Sequence, residues 1–305
     1  MEDILRTQII CFLIMILLLA ACGGAKQPLG SEKNPIKLYF VPSAEAAKVI
    51  ASGNQIAGML KEITGYHFIS KVPTSYAPVI EAMGTEEADV AFLPTFAYVL
   101  AHDKYKAEVT LMTIRHGLQK YRGQLVCRAD SGIDSLSDIE GKIIAYTDVA
   151  STSGHVYPAA LLALNGIEPD KKMFAGGHPQ AIIAVYNNNA DIGCTFWSPP
   201  SDKGEPQDAR KLVLATYPDV AEKVIPFAFT EWIPNDTITF GAHISPELRA
   251  EISEALMQVA ASEDGRKILD ELYSIDGFAP AQDSDYDVVR QTLEALDMRP
   301  ENMLR

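Results

Sequence analysis

Short apolar runs alternate with segments of helical period along most of this chain, and that alternation restricts its fold more than any other feature. Ile36–Val41 (IKLYFV) is an apolar run of strand length that stops at Pro42-Ser43. Ala44–Gly65 carries apolar residues at Ala47, Ile50, Ile56, Met59, Leu60 and Ile63, the spacing of one helix face, with Gly65 as a stop. Tyr66–Val72 reads as a second strand. Thr74 is placed to cap a helix whose apolar face is Val79, Ile80 and Met83. Ala88–Leu93 is a third strand, followed by Pro94 and a short helix through Tyr98-Val99-Leu100. Such a β-α-β-α-β order predicts a parallel sheet covered by helices.

The same order returns downstream. Lys142–Tyr146 reads as a strand, STSG (151–154) opens a helix, and Met173–Ala175 is a short strand. Gly176-Gly177-His178-Pro179 opens a helix over Gln180–Asn187, and Ala190–Phe196 is another strand. "ADVAF" (88–92) and "ADIGC" (190–194) echo each other: each follows a helix and a polar turn, and each leads into a strand. The echo fits two lobes of similar design, and equally fits generic α/β punctuation. Pro246–Gln258, Gly265–Tyr273 and Ser284–Leu296 are amphipathic helices toward the end of the chain.

The chain begins with Arg6 as its one basic residue before an apolar run from Ile9 to Ala21, closed by Leu19-Ala20-Ala21-Cys22-Gly23. The run is short for a membrane-spanning helix, which needs about 20 apolar residues, and fits a secretory signal with a small-residue cleavage site. Leu-Ala-Ala-Cys resembles a bacterial lipobox, which would make residues 1–21 a leader and Cys22 a lipidated mature N-terminus. Glu2 and Asp3 depart from the usual basic start. Residues 22–35 then read as a flexible polar tether.

A net charge of −14 over 305 residues argues against a nucleic-acid partner, which wants a basic face. It does not exclude a small anion in one cleft. The length suits two domains of ordinary size. Of the four cysteines, Cys11 would leave with the leader and Cys22 would carry lipid. Cys127 and Cys194 lie in strand-like runs and read as two small buried residues, with a disulfide between them left open.

STSG sits where a strand hands over to a helix. A helix start offers unpaired N–H groups and about half a positive charge; Ser151, Thr152 and Ser153 add hydroxyl donors, and Gly154 permits close approach to the backbone. Together they suit a tetrahedral oxyanion outside the carboxyl end of a strand. A plainly capped helix is the competing reading. His178 stands at a second helix start, with Pro179 suited to the first helical position. It reads either as a turn residue or as an imidazole that donates to an oxyanion and is protonated beside a dianion. Tyr76 and Tyr121 precede a helix and a strand and are candidate contacts, or half-buried core. Asp236 in "IPNDT" is a turn residue by default, and Trp197 either walls a pocket or simply packs. No GxSxG, HExxH, phosphate-binding loop or dinucleotide fingerprint is present, and no spacing suggests a metal or other cofactor. Nothing supports an enzyme.

The chain resembles the substrate-binding proteins of phosphonate/phosphite ABC importers. The likeness is carried by "TSYAPVIEAM", "ADVAFLP", "RADSGIDSLSDIEGKIIAYTDVASTSGHVYP", "GGHPQAIIAVYNNNADIG", "WIPNDT" and the tail from "ISPELRAEISEAL" onward, in family order over most of residues 36–297. The resemblance implies a type II periplasmic-binding-protein fold: two α/β lobes around a central ligand cleft, lobe 1 from 36–121 and 235–305, lobe 2 from 122–234. The crossing segments would lie near Tyr121–Arg128 and Phe229–Asp236, and the lobes would close by a hinge. By the same likeness Ser151, Thr152, Ser153 and the backbone at Gly154 hold phospho oxygens, His178 and Tyr121 match ligand positions, and Tyr76 and Asp236 do so more loosely. Trp197 and Pro199-Pro200 stand where relatives that take aminoalkyl phosphonates carry an acid. That favours phosphite or a short alkylphosphonate, although the stretch from Pro199 to Arg210 is longer than in relatives. The expectation is an exported, lipid-anchored monomer that captures a small phosphorus oxyanion and delivers it to ABC permease subunits. A binding protein feeding a sensor, or an extracytoplasmic phosphoester-processing enzyme, are the alternatives.

Overall fold

The computed structural model describes residues 27–294. The expected leader, Cys22 and the residues beyond Glu294 lie outside that range. Within it the chain starts with β1 (Ile36–Phe40), α1 (Ala46–Thr64), β2 (Phe68–Lys71), α2 (Ala77–Gly84), β3 (Val90–Leu93), α3 (Thr95–Tyr105) and β4 (Glu108–Ile114). There follow β5 (Lys120–Arg128), β6 (Ile143–Tyr146), α4 (Tyr157–Leu164), β7 (Lys171–Phe174), α5 (His178–Tyr186), β8 (Ile192–Trp197), α6 (Val220–Lys223) and β9 (Val224–Pro234). The described residues close with β10 (Thr237–Phe240), α7 (Pro246–Ala261), α8 (Glu263–Tyr273), β11 (Gly277–Pro280) and α9 (Asp287–Glu294).

Two sheets result. The first has the order β11-β4-β10-β3-β1-β2 and the second β7-β6-β8-β5-β9. β1 pairs in parallel with β2 and β3, and β6 pairs in parallel with β7 and β8. These are the two β-α-β units read from the sequence; their inner strands β1, β3, β6 and β8 are apolar because they are covered, whereas the edge strands β2 and β7 are more polar and exposed. Ile36, Leu38 and Phe40 alternate inward from β1 against Val49, Ile56 and Leu60 of α1. α1 ends at Gly65, whose left-handed backbone (φ 78°) lets its N–H return to Lys61 O.

The antiparallel strands tie the sheets together. The chain leaves the first sheet at the end of β4, turns through Arg115–Gln119, and enters the second as β5. It returns from β9 through Asn235-Asp236 into β10, which inserts between β3 and β4. β5 and β9 run side by side from Lys120↔Pro234 to Arg128↔Val224. The segments expected to cross, 121–128 and 229–236, are thus mostly strands of the second sheet, and the crossings sit at their ends.

Three local readings change. Thr74 does not cap α2; Tyr76 occupies the cap position and makes no side-chain capping bond. The stretch read as a loose tether is folded from Gln27 on: Ser31 and Asn34 form an isolated bridge, and Leu29 packs on the first core. Cys127 and Cys194 are buried free thiols, each opposite an aliphatic residue (Ile192 and Leu125) in the β5–β8 ladder.

The ADV/ADI echo has a physical cause. Asp89 Oδ2 accepts the Lys37 amide of β1 (2.7 Å), and Asp191 Oδ2 accepts the Ile143 amide of β6 (2.8 Å). In both lobes the aspartate before a parallel strand satisfies a donor at the start of its neighbour. Asp89 is buried and also bonds His243 Nε2 (2.8 Å). Replacing it with alanine strands a backbone N–H, so Asp89→Ala is expected to lose roughly 1.5–3 kcal/mol of stability. In urea denaturation the midpoint should fall with an unchanged slope.

Candidate functional site

The carboxyl ends of β1, β3 and β6 and the crossing segments converge on a cavity between the two sheets. It measures about 70 Å³, room for on the order of five water-sized groups. Ser43, Tyr76 and Tyr273 line it from the first lobe, Ser151, Ser153 and His178 from the second, and Arg115, Tyr121 and Asp236 from the crossings.

The STSG segment is a π-type turn over Thr152–Val156 that runs directly into α4. Ser151 stands at its cap position and Ser151 Oγ accepts the Gly154 N–H (3.1 Å). Ser151 and Ser153 line the cavity. Thr152 and Gly154 do not. Thr152 Oγ1 instead accepts the Phe96 N–H (2.8 Å), an otherwise unpaired donor in the first turn of α3, so this hydroxyl joins the two lobes. The Gly154 N–H is taken by Ser151, and a Cβ at Gly154 would meet Thr147 Oγ1 at 1.9 Å. Gly154 is needed for that close approach inside the lobe rather than for approach to a ligand. The capped-helix reading thus describes Ser151, while Ser151 and Ser153 also line the cavity.

His178 is the first residue of α5 and 6% exposed. Burial, with the nearby Arg115 charge, pushes its pKa down to about 3. Without a ligand the imidazole is therefore neutral; the protonated form expected from the sequence concerns the state beside a bound dianion. Its ring meets Phe196 edge-on, and Nδ1 is buried without a partner. No carboxylate orients it, which separates it from a catalytic general base. Tyr76 and Tyr121 are nearly fully buried, and burial, helped by negative neighbours, raises both phenols above their ordinary range, so they remain hydroxyl donors. The Tyr76 N–H donates to Asp148 Oδ2 across the lobes (3.3 Å).

Arg115 escaped the sequence reading. It directly follows β4, where Arg115 Nη2 meets Asp236 Oδ2 at 2.7 Å and Nε donates to Tyr273 O at 2.9 Å. It is the one lysine or arginine lining the cavity. Burial opposes its charge, but Asp236 outweighs burial and raises its pKa. Asp236 Oδ1 is buried and unpartnered. Trp197 does not reach the cavity; it packs against Phe229 and Trp232 on the second sheet.

Residues 38–286 match the family model described as the periplasmic substrate-binding protein of phosphonate ABC transporters. This chain belongs to that family. It is 27% identical to the phosphate-import protein PhnD of Mycolicibacterium smegmatis, over 91% of this chain and 92% of that one. A binding protein of a Pseudomonas aeruginosa ABC phosphonate transporter superposes with a TM-score of 0.76 at 20% identity, covering 89% and 87% of the two chains. PhnD1 of Prochlorococcus marinus, solved with methylphosphonate, gives 0.73 at 15%, covering 87% and 98%. The expected two-lobed periplasmic-binding-protein fold is thereby met. Membership places the protein outside the cytoplasm as the substrate-binding component of an ABC importer, working with permease subunits.

The neutral His178 has a consequence for the family member's acid stability. Its folded pKa lies below the ordinary 6.5, so the unfolded chain takes the proton first. Stability present above pH 6.5 is lost as pH falls toward 3, by up to about 1.4 kcal/mol per pH unit from this group. The difference in unfolding free energy between wild type and His178→Gln should therefore shrink or reverse between pH 6.5 and 4.5. Denaturant titrations at both pH values check it.

Proposed function

We propose that this protein is a lipid-anchored monomer that captures a small phosphorus oxyanion, phosphate or a simple phosphonate, in the cavity between its lobes and releases it to an ABC permease. The lobes, 36–121 with 235–305 and 122–234, would close over the ligand. One observation carries the reading: buried hydroxyls, a neutral imidazole and a single guanidinium converge on one cavity between the lobes.

An anion leaving water loses several kcal/mol of hydration, which must be replaced by directed donors. Ser151, Ser153, Tyr76 and Tyr121 each have a hydroxyl to give, His178 a ring N–H, and Arg115 a positive charge. Thr152 and Gly154 contribute by holding the turn and the lobes in place. The phosphate-import name of the Mycolicibacterium relative and the methylphosphonate held by the Prochlorococcus one support this ligand class. The cavity offers no activated nucleophile: Ser151 Oγ is occupied as a cap and His178 has no acidic partner, which supports binding without turnover.

Ser153→Ala removes one donor without touching the cap. It should weaken methylphosphonate and phosphate binding by about 10-fold or more, at roughly 1.5–3 kcal/mol per charge-assisted hydrogen bond. Isothermal titration of the mature soluble chain reads this, and unchanged affinity contradicts the site. Anchoring is tested separately: Cys22→Ser should move the protein from the membrane fraction to the soluble extracytoplasmic fraction, and an unchanged distribution contradicts lipidation.

A further inference from the structure

We infer that Leu212 sets the size limit of the site: it stands across the outer end of the cavity and admits only phosphorus oxyanions whose organic substituent is short. This rests on the oxyanion-binding reading above and names the residue that decides which members of that class fit.

The cavity has a closed inner end and an outer end that meets the surface. Tyr76, Pro94, Tyr121, Ser151, Ser153 and His178 are all buried and close the inner end. The outer end is bordered by His116, Leu212 and the last turn of α8 with Ser274, where Asp270 and Glu271 are exposed. A substituent on phosphorus that makes no hydrogen bonds would strand the inner donors if it pointed at them. It therefore belongs at the outer end, where the aliphatic lining residues are Leu212 from the second lobe and Leu272 from the first. The exposed carboxylates beyond them are screened by water, so an uncharged alkyl group is admitted or refused by the aliphatic residues.

Leu212 is held there by its own turn. None of residues 199–210 lines the cavity; the stretch leads instead into a single 3-10 turn, Ala209–Val213. Asp208, buried before that turn, accepts the Arg210 N–H at 2.9 Å and pairs with the Arg210 guanidinium at 2.7 Å. Arg210 Nη1 donates in turn to Val224 O at 3.1 Å. Ala209 and Val213 are buried in one cluster with Ile182, Val185 and Val224. Leu212, between them, is absent from that cluster and lines the cavity. Its neighbour Lys211 reaches Asp270 Oδ1 of the first lobe at 4.0 Å, which sets the turn against the end of α8. A side chain on a turn packed this way yields little to a ligand that needs its space. One methylene more or less in a closed apolar pocket changes affinity by about 10–200-fold.

Isothermal titration of the mature soluble chain with phosphate, methylphosphonate and n-butylphosphonate tests this. Wild type should bind butylphosphonate about 100-fold more weakly than methylphosphonate, or worse. Leu212→Ala removes as many carbons as butylphosphonate adds to methylphosphonate. It should bring the two phosphonates within about 10-fold of each other and leave phosphate within about 3-fold of wild type. Phosphate thus reports that the variant is folded and its donors are in place. Wild-type affinities for the two phosphonates that already lie within about 10-fold overturn the size limit while leaving the oxyanion site standing. A discrimination that Leu212→Ala leaves unchanged, with phosphate binding retained, assigns the limit to another residue and overturns the inference. Loss of phosphate binding in Leu212→Ala makes the residue a support of the donors and overturns it too. Failure of wild type to bind either phosphate or methylphosphonate overturns both readings.

Discussion

Two adjacent strands, β5 and β9, set the geometry on which the cleft depends. Each continues from the first lobe, so the two sheets are joined by a pair of short crossings, Arg115–Gln119 and Asn235-Asp236, rather than by one flexible linker. The crossings form the back of the cavity. They bring Arg115 and Asp236, 121 residues apart, within 2.7 Å. The lobes then meet through directed bonds: Phe96 N–H to Thr152 Oγ1 and Tyr76 N–H to Asp148 Oδ2. One apolar cluster also spans both, with Val156 and Tyr157 of the second lobe beside residues such as Tyr98 and Tyr286 of the first.

This arrangement accounts for the electrostatics. A cleft that shuts over an anion must be dry, and dryness penalises charge of either sign. The structure answers with neutral donors and one guanidinium that is itself paired. The neutral His178 follows from the same constraint: a second full positive charge beside Arg115 in a buried cavity is disfavoured. Hydroxyls and an unprotonated imidazole cost less to bury than charges and can still turn N–H and O–H groups toward oxygen. Donors of this kind suit the substrate-binding role of the family to which the chain belongs.

Much of the fold was legible because parallel strands covered on both faces leave uninterrupted apolar runs, and the helices between them leave the 3.6-residue period. The boundaries shifted where capping chemistry was assumed, as at Thr74, and where a polar stretch was equated with looseness, as at Gln27–Pro35. The site was half legible. Ser151, Ser153 and His178 stand at chain positions that any parallel sheet aims at a cleft, so position alone nominated them. Thr152 and Gly154 share that segment, yet their partners, Phe96 and Thr147, lie on other elements and cannot be read from spacing. Arg115 was missed for the same reason: its meaning comes from Asp236 and from Tyr273, 158 residues away. A local signal did exist. A lone arginine closes an apolar strand and is followed by His116-Gly117, both with left-handed backbone (φ 50° and 72°), which marks a sharp change of direction. Trp197 shows the converse, a conspicuous residue whose ring serves the outer packing of one sheet.

The most direct test of the central claim is a crystal structure of the mature chain without its lipid, grown with saturating methylphosphonate. The account predicts the phosphorus atom between the lobes, its oxygens within hydrogen-bonding distance of Ser151, Ser153, Tyr121 and His178. Density for the ligand elsewhere on the molecule, or an empty cleft in a crystal saturated with it, would contradict the account.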